Sequence, residues 1–382
     1  MKIVFVSSEY PTENIPIGGI GSFLYNYCNS LVKMGFNVIV IGVFSISKTT
    51  ISNENGVIVY RLKNNNIKFI NAIYNYIRIN IILKKINSKE KIDIIETPEL
   101  GLAFLLKNKN STYVIRLHGG HHFLNQTAKL NWKRVFQEKF SFSKADAFIV
   151  ISEYVKNETE KHLSFHNKPI AQIYNPINFE NFNLIEESAG FNFKIVFVGT
   201  VYEKKGIRQL IQSFGILKSQ IPDASLEIYG KDWYDISGFS YIETLKNHEI
   251  SKLGDFGKDI HFHGAIPYSD ISKIYSEASV CVFPSLIEAQ GLVVMEAMAM
   301  QKVVIFTKYG VGPEIINHLE NGLLCDPKSP NDIAEKIIWV YKNKMEVDQI
   351  AVCARQSVIE KFDLKKIVNQ NIEFYKSLLN KY

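Results

Sequence analysis

The chain predicts an α/β protein built from two tandem Rossmann-like domains. Three observations carry that reading. The pentapeptide Lys2-Ile-Val-Phe-Val6 returns unchanged as Lys194–Val198. From each copy, short apolar runs alternate with amphipathic helical segments, the pattern of a parallel sheet with crossover helices. A polar stretch from Asn175 to Asn192 separates the two series. The expected domains are residues 1–178 and 191–362, with an amphipathic helix over Leu364–Leu379 beyond them.

With 382 residues and 46% hydrophobic content, the chain can bury two ordinary cores. A net charge of +6 is too small to argue for nucleic acid. Cys28, Cys281, Cys325 and Cys353 lie far apart with no C-x-x-C, so reduced thiols are expected rather than a disulfide framework or a zinc site. The opening apolar run is too short for a signal-peptide core, and no stretch reaches about 18 apolar residues. The expectation is a soluble or peripherally bound cytoplasmic protein.

In chain order, the first strand leads into Pro11–Gly21. Gly18 and Gly19 there permit close backbone approach and open a helix over Ser22–Met34. Phe36–Phe44 returns as a strand. Arg61 to Lys91 is the most basic region, with Glu90 its single acid. Ile67, Ile70, Tyr74, Ile77 and Ile81 recur there at helical spacing. The spacing favours a helix with these residues on the core and a solvated lysine face. A helix lying on anionic lipid is the alternative.

Strands Ile92–Ile95 and Tyr113–Leu117 follow. The second runs into His118-Gly119-Gly120-His121-His122. Three close histidines invite a metal, but no carboxylate or cysteine stands nearby in sequence and two glycines disfavour a regular helix. Helix Asn131–Ser143, strand Ala147–Ile151, helix Glu153–Leu163 and strand Pro169–Tyr174 complete the first series. In the second, strand Ile195–Gly199 leads through Thr200 and Glu203-Lys204-Lys205-Gly206 to helix Ile207–Lys218. A lysine in such a loop, at the carboxyl end of a sheet, can neutralise phosphate, although an isolated E-K-K-G is more often a plain turn. Strand Ser225–Tyr229 stops at Gly230. Strand Ile260–His263 leads through Ile266 to helix Ser269–Glu277. Helices Asn331–Tyr341 and Glu346–Phe362 close the series.

Between them lies the most informative stretch, Pro284–Pro327, behind the apolar strand Ser279–Phe283. A polar loop carrying Glu288 ends at Gln290-Gly291, and Leu292–Met300 is rich in good helix formers. A helix opening there offers N–H groups and a positive dipole end to an anion at Gly291 and Leu292. Glu296 would sit roughly 7 Å along that helix. A diphosphate at the helix start, with a carboxylate on either side for paired hydroxyls, describes a nucleotide sugar. Two isolated glutamates eight apart would be unremarkable; the residues around them make the pattern specific.

The order PS-x2-E-x2-GL-x3-EAMA, VV, GPEII and NGLL-x2-P resembles the donor-site signature of the retaining GT-B glycosyltransferases of family 4. The chain departs from it at Gln290, where that family has Phe, and at Met300-Gln301, where it has Cys-Gly. The resemblance implies two domains facing across a cleft, with the C-terminal helix crossing back to the first. It implies Glu296 on the ribose, Glu288 on the sugar, and Lys205 (Lys204 as the fallback register) on the diphosphate. His118 would lie beside the donor sugar, with Gly18 and Gly19 near the phosphates and Gly230 and Ile266 at the nucleotide. Thr200 stands where the family has a second phosphate-binding arginine, and Pro176 replaces the glycine of the interdomain turn. The implied reaction is metal-independent transfer with retention from a nucleoside diphosphate sugar to a hydroxyl, with no cofactor. UDP-sugars are the commonest donors. A glycan or lipid-linked glycan in bacterial surface polysaccharide synthesis is the expected acceptor. A nucleotide-sugar epimerase and a non-catalytic nucleotide-sugar binder remain the alternative readings.

Overall fold

The computed structural model describes residues 1–11, 19–65, 71–126, 130–184, 192–235 and 237–380; Gly18, Ile67, Lys68 and Ile70 lie outside them. The chain folds as two units. One comprises Met1–Pro176 with Leu364–Tyr382, and the other Ile177–Asp363.

The elements of the first unit are β1 (Lys2–Val6), α1 (Gly19–Lys33), β2 (Asn37–Phe44), β3 (Thr50–Glu54), β4 (Val57–Lys63), α2 (Asn71–Lys89), β5 (Ile94–Thr97), β6 (Thr112–Leu117), α3 (His121–Leu124), α4 (Trp132–Lys144), β7 (Ala147–Val150), α5 (Glu153–Glu160) and β8 (Ile170–Gln172). Its sheet runs β3-β4-β2-β1-β5-β6-β7-β8. Every pair is parallel except β3 with β4. That hairpin turns at Asn55 and Gly56, whose positive φ values of 53° and 90° fit a mirror-image turn. The central strands are buried on both faces, as a parallel sheet covered by helices requires.

In the second unit the elements are β9 (Lys194–Val198), α6 (Ile207–Leu217), β10 (Ser225–Tyr229), α7 (Tyr241–His248), β11 (Ile260–Gly264), α8 (Ile271–Ser276), β12 (Val280–Phe283), α9 (Leu292–Ala299), β13 (Val304–Thr307), α10 (Gly312–Ile315), β14 (Leu323–Cys325), α11 (Pro330–Lys342) and α12 (Lys344–Phe362). Its all-parallel sheet runs β11-β10-β9-β12-β13-β14. Counted from β9, this is the order 3-2-1-4-5-6 of a doubly wound fold. The order reverses between β9 and β12, and ligands of such sheets sit outside the strand ends at that point.

The last helix, α13 (Leu364–Leu379), belongs to the first unit. Ile367, Val368, Ile372 and Tyr375 pack into the core formed by α1 and the sheet. A buried polar network fixes it there. Arg116 on β6 donates to Glu96 on β5 at 2.7 Å and 3.2 Å, and to Asn371 of α13 at 2.5 Å. The Tyr375 hydroxyl also donates to Glu96. A charged pair this deeply buried depends on such hydrogen bonds to offset its desolvation, although the Arg116 Nη1 has no partner among the described residues.

Two expectations for the basic region change. Arg61 is buried in β4, paired with Glu54 and donating to the Pro11 carbonyl, so it is not part of a basic surface. On α2, the side chains turned to the core are Asn75, Ile79, Leu83 and Ile86, whereas Tyr74, Ile77 and Ile81 are exposed. An apolar stripe at helical spacing gives the period of a helix, but not which side meets the core.

Candidate functional site

Loops at the carboxyl ends of β9 and β12 build the candidate donor site in the second unit. After β9 the backbone passes Gly199 and Thr200, and Gly206 caps the start of α6 in the left-handed region at φ 72°. A Cβ on Gly206 would lie 1.9 Å from the Pro284 carbonyl oxygen, so only glycine lets the two loops touch. The Leu286 amide donates to the Lys204 carbonyl at 2.8 Å across the same contact. Gly230, at the end of β10, is equally constrained: a Cβ there would meet the Gly199 carbonyl oxygen at 1.8 Å. Lys204 and Gly230, two of the expected residues, are thus positioned by backbone packing.

That packing brings Lys205 to Glu288, and the two form an ion pair. Burial works against the Lys205 charge, but Glu288 and Tyr202 outweigh it and hold the ammonium above its usual range. Lys204, half-buried alongside, is pushed down by burial. Lys205 is therefore the cation aimed at the β12 loop. The side chains of Lys205 and Glu288 are 20% and 14% exposed, so both remain within reach of a ligand.

Gly291 (φ 79°) turns the chain into α9, and Leu292 is its first residue. Glu296 lies inside that helix and is only 3% exposed. Its Oε1 accepts from the Tyr268 hydroxyl at 3.1 Å, while Oε2 has no hydrogen-bond partner among the described residues. Burial raises its pKa to about 7, against the hydrogen bond from Tyr268. A buried carboxylate with an empty acceptor position is set up for a donor that arrives from outside. Ile266 is half-buried in the turn before Tyr268. Gln290, by contrast, is buried, and its amide lies 3.6 Å from the Met295 sulfur. It fills core space where a phenylalanine would stand.

In the first unit, His118 follows β6, half-buried, with its ring 5.4 Å from that of Phe23. Burial, assisted by Arg116, lowers its pKa to about 3, so the imidazole is neutral at ordinary pH. The following turn is held by two carboxylates that are distant in sequence. Glu99 accepts from the Gly119 amide at 2.8 Å, and burial lifts its own pKa to about 8. Glu138 accepts from the His121 amide at 2.8 Å and pairs with the His122 ring. A short helix, α3, forms over His121–Leu124, beyond both glycines, and Glu138 takes up its first amides. Sequence reading missed both carboxylates, which carry no local pattern. Among the described residues, no group of three or more His, Cys, Asp or Glu side chains is placed to hold a metal ion. Gly19 begins α1 and is exposed.

Two family descriptions match the chain. "Glycosyl transferases group 1" covers residues 181–357 and "Glycosyltransferase Family 4" covers residues 17–181. An uncharacterized glycosyltransferase of Methanocaldococcus jannaschii is 28% identical over 350 residues, spanning 90% of this chain and 89% of that one. Among solved structures, sucrose-phosphate synthase from Thermosynechococcus elongatus superposes with a TM-score of 0.87 at 20% identity, covering 100% of both chains. Anabaena HepE in complex with UDP and glucose superposes at 0.78 with 16% identity, over 99% of this chain and 100% of that one.

Proposed function

We propose that the chain, a glycosyltransferase of the GT-B superfamily by the two descriptions that together match residues 17–357, is a retaining enzyme of family 4 type acting on nucleotide-sugar donors. It moves a sugar from a UDP-sugar to a hydroxyl of a glycan or lipid-linked glycan in surface polysaccharide assembly, in the cytoplasm. The observation that carries the donor assignment is the unfilled acceptor oxygen of Glu296, buried in the helix that follows the loop holding the Lys205–Glu288 pair. The ribose hydroxyls would donate to Glu296. The diphosphate would lie over the start of α9, with Lys205 as its cation. Glu288 would then accept from the donor sugar. Neutral His118, in the first unit, would offer a hydrogen bond rather than a charge. UDP bound to a neighbour of the same fold supports the choice of base.

In this scheme the departing diphosphate takes the acceptor proton, and the protein supplies positioning and charge stabilisation. No divalent ion is needed, so turnover in excess EDTA should equal that in buffer. Loss of activity that Mn²⁺ or Mg²⁺ restores would overturn this point. Glu288→Ala should weaken intact donor more than free nucleoside diphosphate in calorimetry, since its assigned partner is the sugar. Equal losses for both ligands would remove that role. An acceptor-free assay that yields epimerised donor would replace transfer by epimerisation. Binding without transfer to any acceptor would favour a non-catalytic binder.

A further inference from the structure

The run His118-Gly119-Gly120-His121-His122 holds two histidines that the donor assignment does not use, and both are built into the framework. The His121 Nε2 accepts from the amide of Asn131, the residue that caps the start of α4, at 3.0 Å. His122 is buried, its ring stacks on that of His162 with centroids 5.2 Å apart, and its Nδ1 pairs with Glu138. The His118 ring, by contrast, makes no hydrogen bond to the described residues.

The residue that ties this run together is Glu138 on α4, which is 1% exposed. Its Oε1 accepts from the His121 amide at 2.8 Å, and its Oε2 accepts from the His122 amide at 3.3 Å as well as meeting the His122 ring. Among the described residues all its hydrogen-bond donors therefore belong to the two residues after Gly120, and none of the α4 cations, Lys133, Arg134, Lys139 and Lys144, pairs with it. Burying a carboxylate is costly unless hydrogen bonds offset it, so one devoted wholly to a single turn holds that turn firmly. Gly120 shows how closely the acid lies. Its backbone is extended, with φ −70° and ψ −169°, a conformation open to any residue. What excludes a side chain is that a Cβ there would lie 2.0 Å from the Glu138 Oε1 and 2.9 Å from the Glu99 Cγ. Glu99, from the loop after β5, takes the Gly119 amide at 2.8 Å. His118 is thus followed by a turn clamped between two buried carboxylates.

We propose that Glu138 is a positioning residue for His118: it takes up the amides beyond Gly120 and so fixes the turn that sets the direction of the His118 imidazole. This rests on the reading in which His118 contributes a hydrogen bond to transfer. Glutamine offers a single acceptor oxygen, so in Glu138→Gln at least one of the two amides loses its acceptor and the turn shifts. The variant should lower kcat by about 10²-fold, the scale of a reacting group misplaced by about 1 Å. UDP affinity should stay unchanged, because the nucleotide is assigned to the second unit. The loss should vanish in a His118→Ala background, where His118→Ala and His118→Ala/Glu138→Gln turn over at the same rate, since the direction of an absent ring no longer matters. Gly120→Ala drives a Cβ against the same carboxylate while retaining its charge. It should reproduce both the loss and its disappearance without the His118 ring, and it serves in place of Glu138→Gln should that variant fail to fold. Wild-type kcat in Glu138→Gln, with only thermal unfolding lowered, would leave Glu138 a purely structural group and overturn the assignment. So would a loss that persists in full in the His118→Ala background. Wild-type turnover in His118→Ala would instead refute the reading of His118 itself, and the positioning role with it.

Discussion

Lys205→Ala is expected to lower kcat by about 10²–10³, the scale of losing one preorganised charge partner of the transition state. Negative charge on the departing diphosphate grows as the glycosidic bond breaks, so a cation held at that place raises turnover more than affinity. Lys205 is pinned for the task. Gly206 locks its loop against Pro284, and Glu288 sustains its charge against burial. The position usually filled by a second cation holds Thr200, which increases the share carried by Lys205. Thr200→Arg in the Lys205→Ala background should restore part of the rate. Near-normal turnover in Lys205→Ala would refute the assignment. A larger defect in Lys204→Ala would move the phosphate contact one residue back, although the lowered pKa of Lys204 and its position beside the pair argue against that.

Glu296 should make nucleotide binding pH-dependent. Burial raises its pKa from 4.5 to about 7. Only the ionised carboxylate accepts from both ribose hydroxyls, so UDP affinity should rise with pH up to and through neutrality. Glu296→Gln should bind more weakly by about 1–3 kcal/mol above pH 7, with this component of the pH dependence gone. The titration of the phosphate itself is common to both proteins and cancels in their ratio. Stability follows with the opposite trend. Between pH 4.5 and about 7 the folded state holds a proton that the unfolded state has released. Stability is therefore full below pH 4.5 and falls as pH rises through 7, by on the order of 3 kcal/mol. Glu296→Gln should remove that decline in urea titrations run across the range. A constant affinity ratio from pH 6 to 8 would take Glu296 out of the ribose role.

The architecture was legible because it is written in local patterns. The two KIVFV runs became β1 and β9 in corresponding places of their sheets, and the last helix spans Leu364–Leu379 as its periodicity indicated. The β3–β4 hairpin went unread although Asn55-Gly56 signals such a turn, because no clear alternation flanks it on the β3 side. Glu288, Glu296 and Lys205 were picked out by their order along the chain. That order also fixed the helix α9 on which Glu296 rides.

What only the tertiary structure decided is which groups meet and how deeply they are buried. The Lys205–Glu288 pair joins residues 83 apart. The raised pKa of Glu296 comes from its burial, and its one filled oxygen accepts from Tyr268, from a different crossover. Glu99 and Glu138 close on the turn after His118 from two other elements. The outward face of α2 follows from the loop and sheet beneath it, since a helix rich in isoleucine all round can dock by more than one side. Periodicity is a property of one segment, so the sequence alone carried the elements and their order. Contact, charge pairing and desolvation belong to segments brought together by packing, and those were settled only once the sheets had assembled.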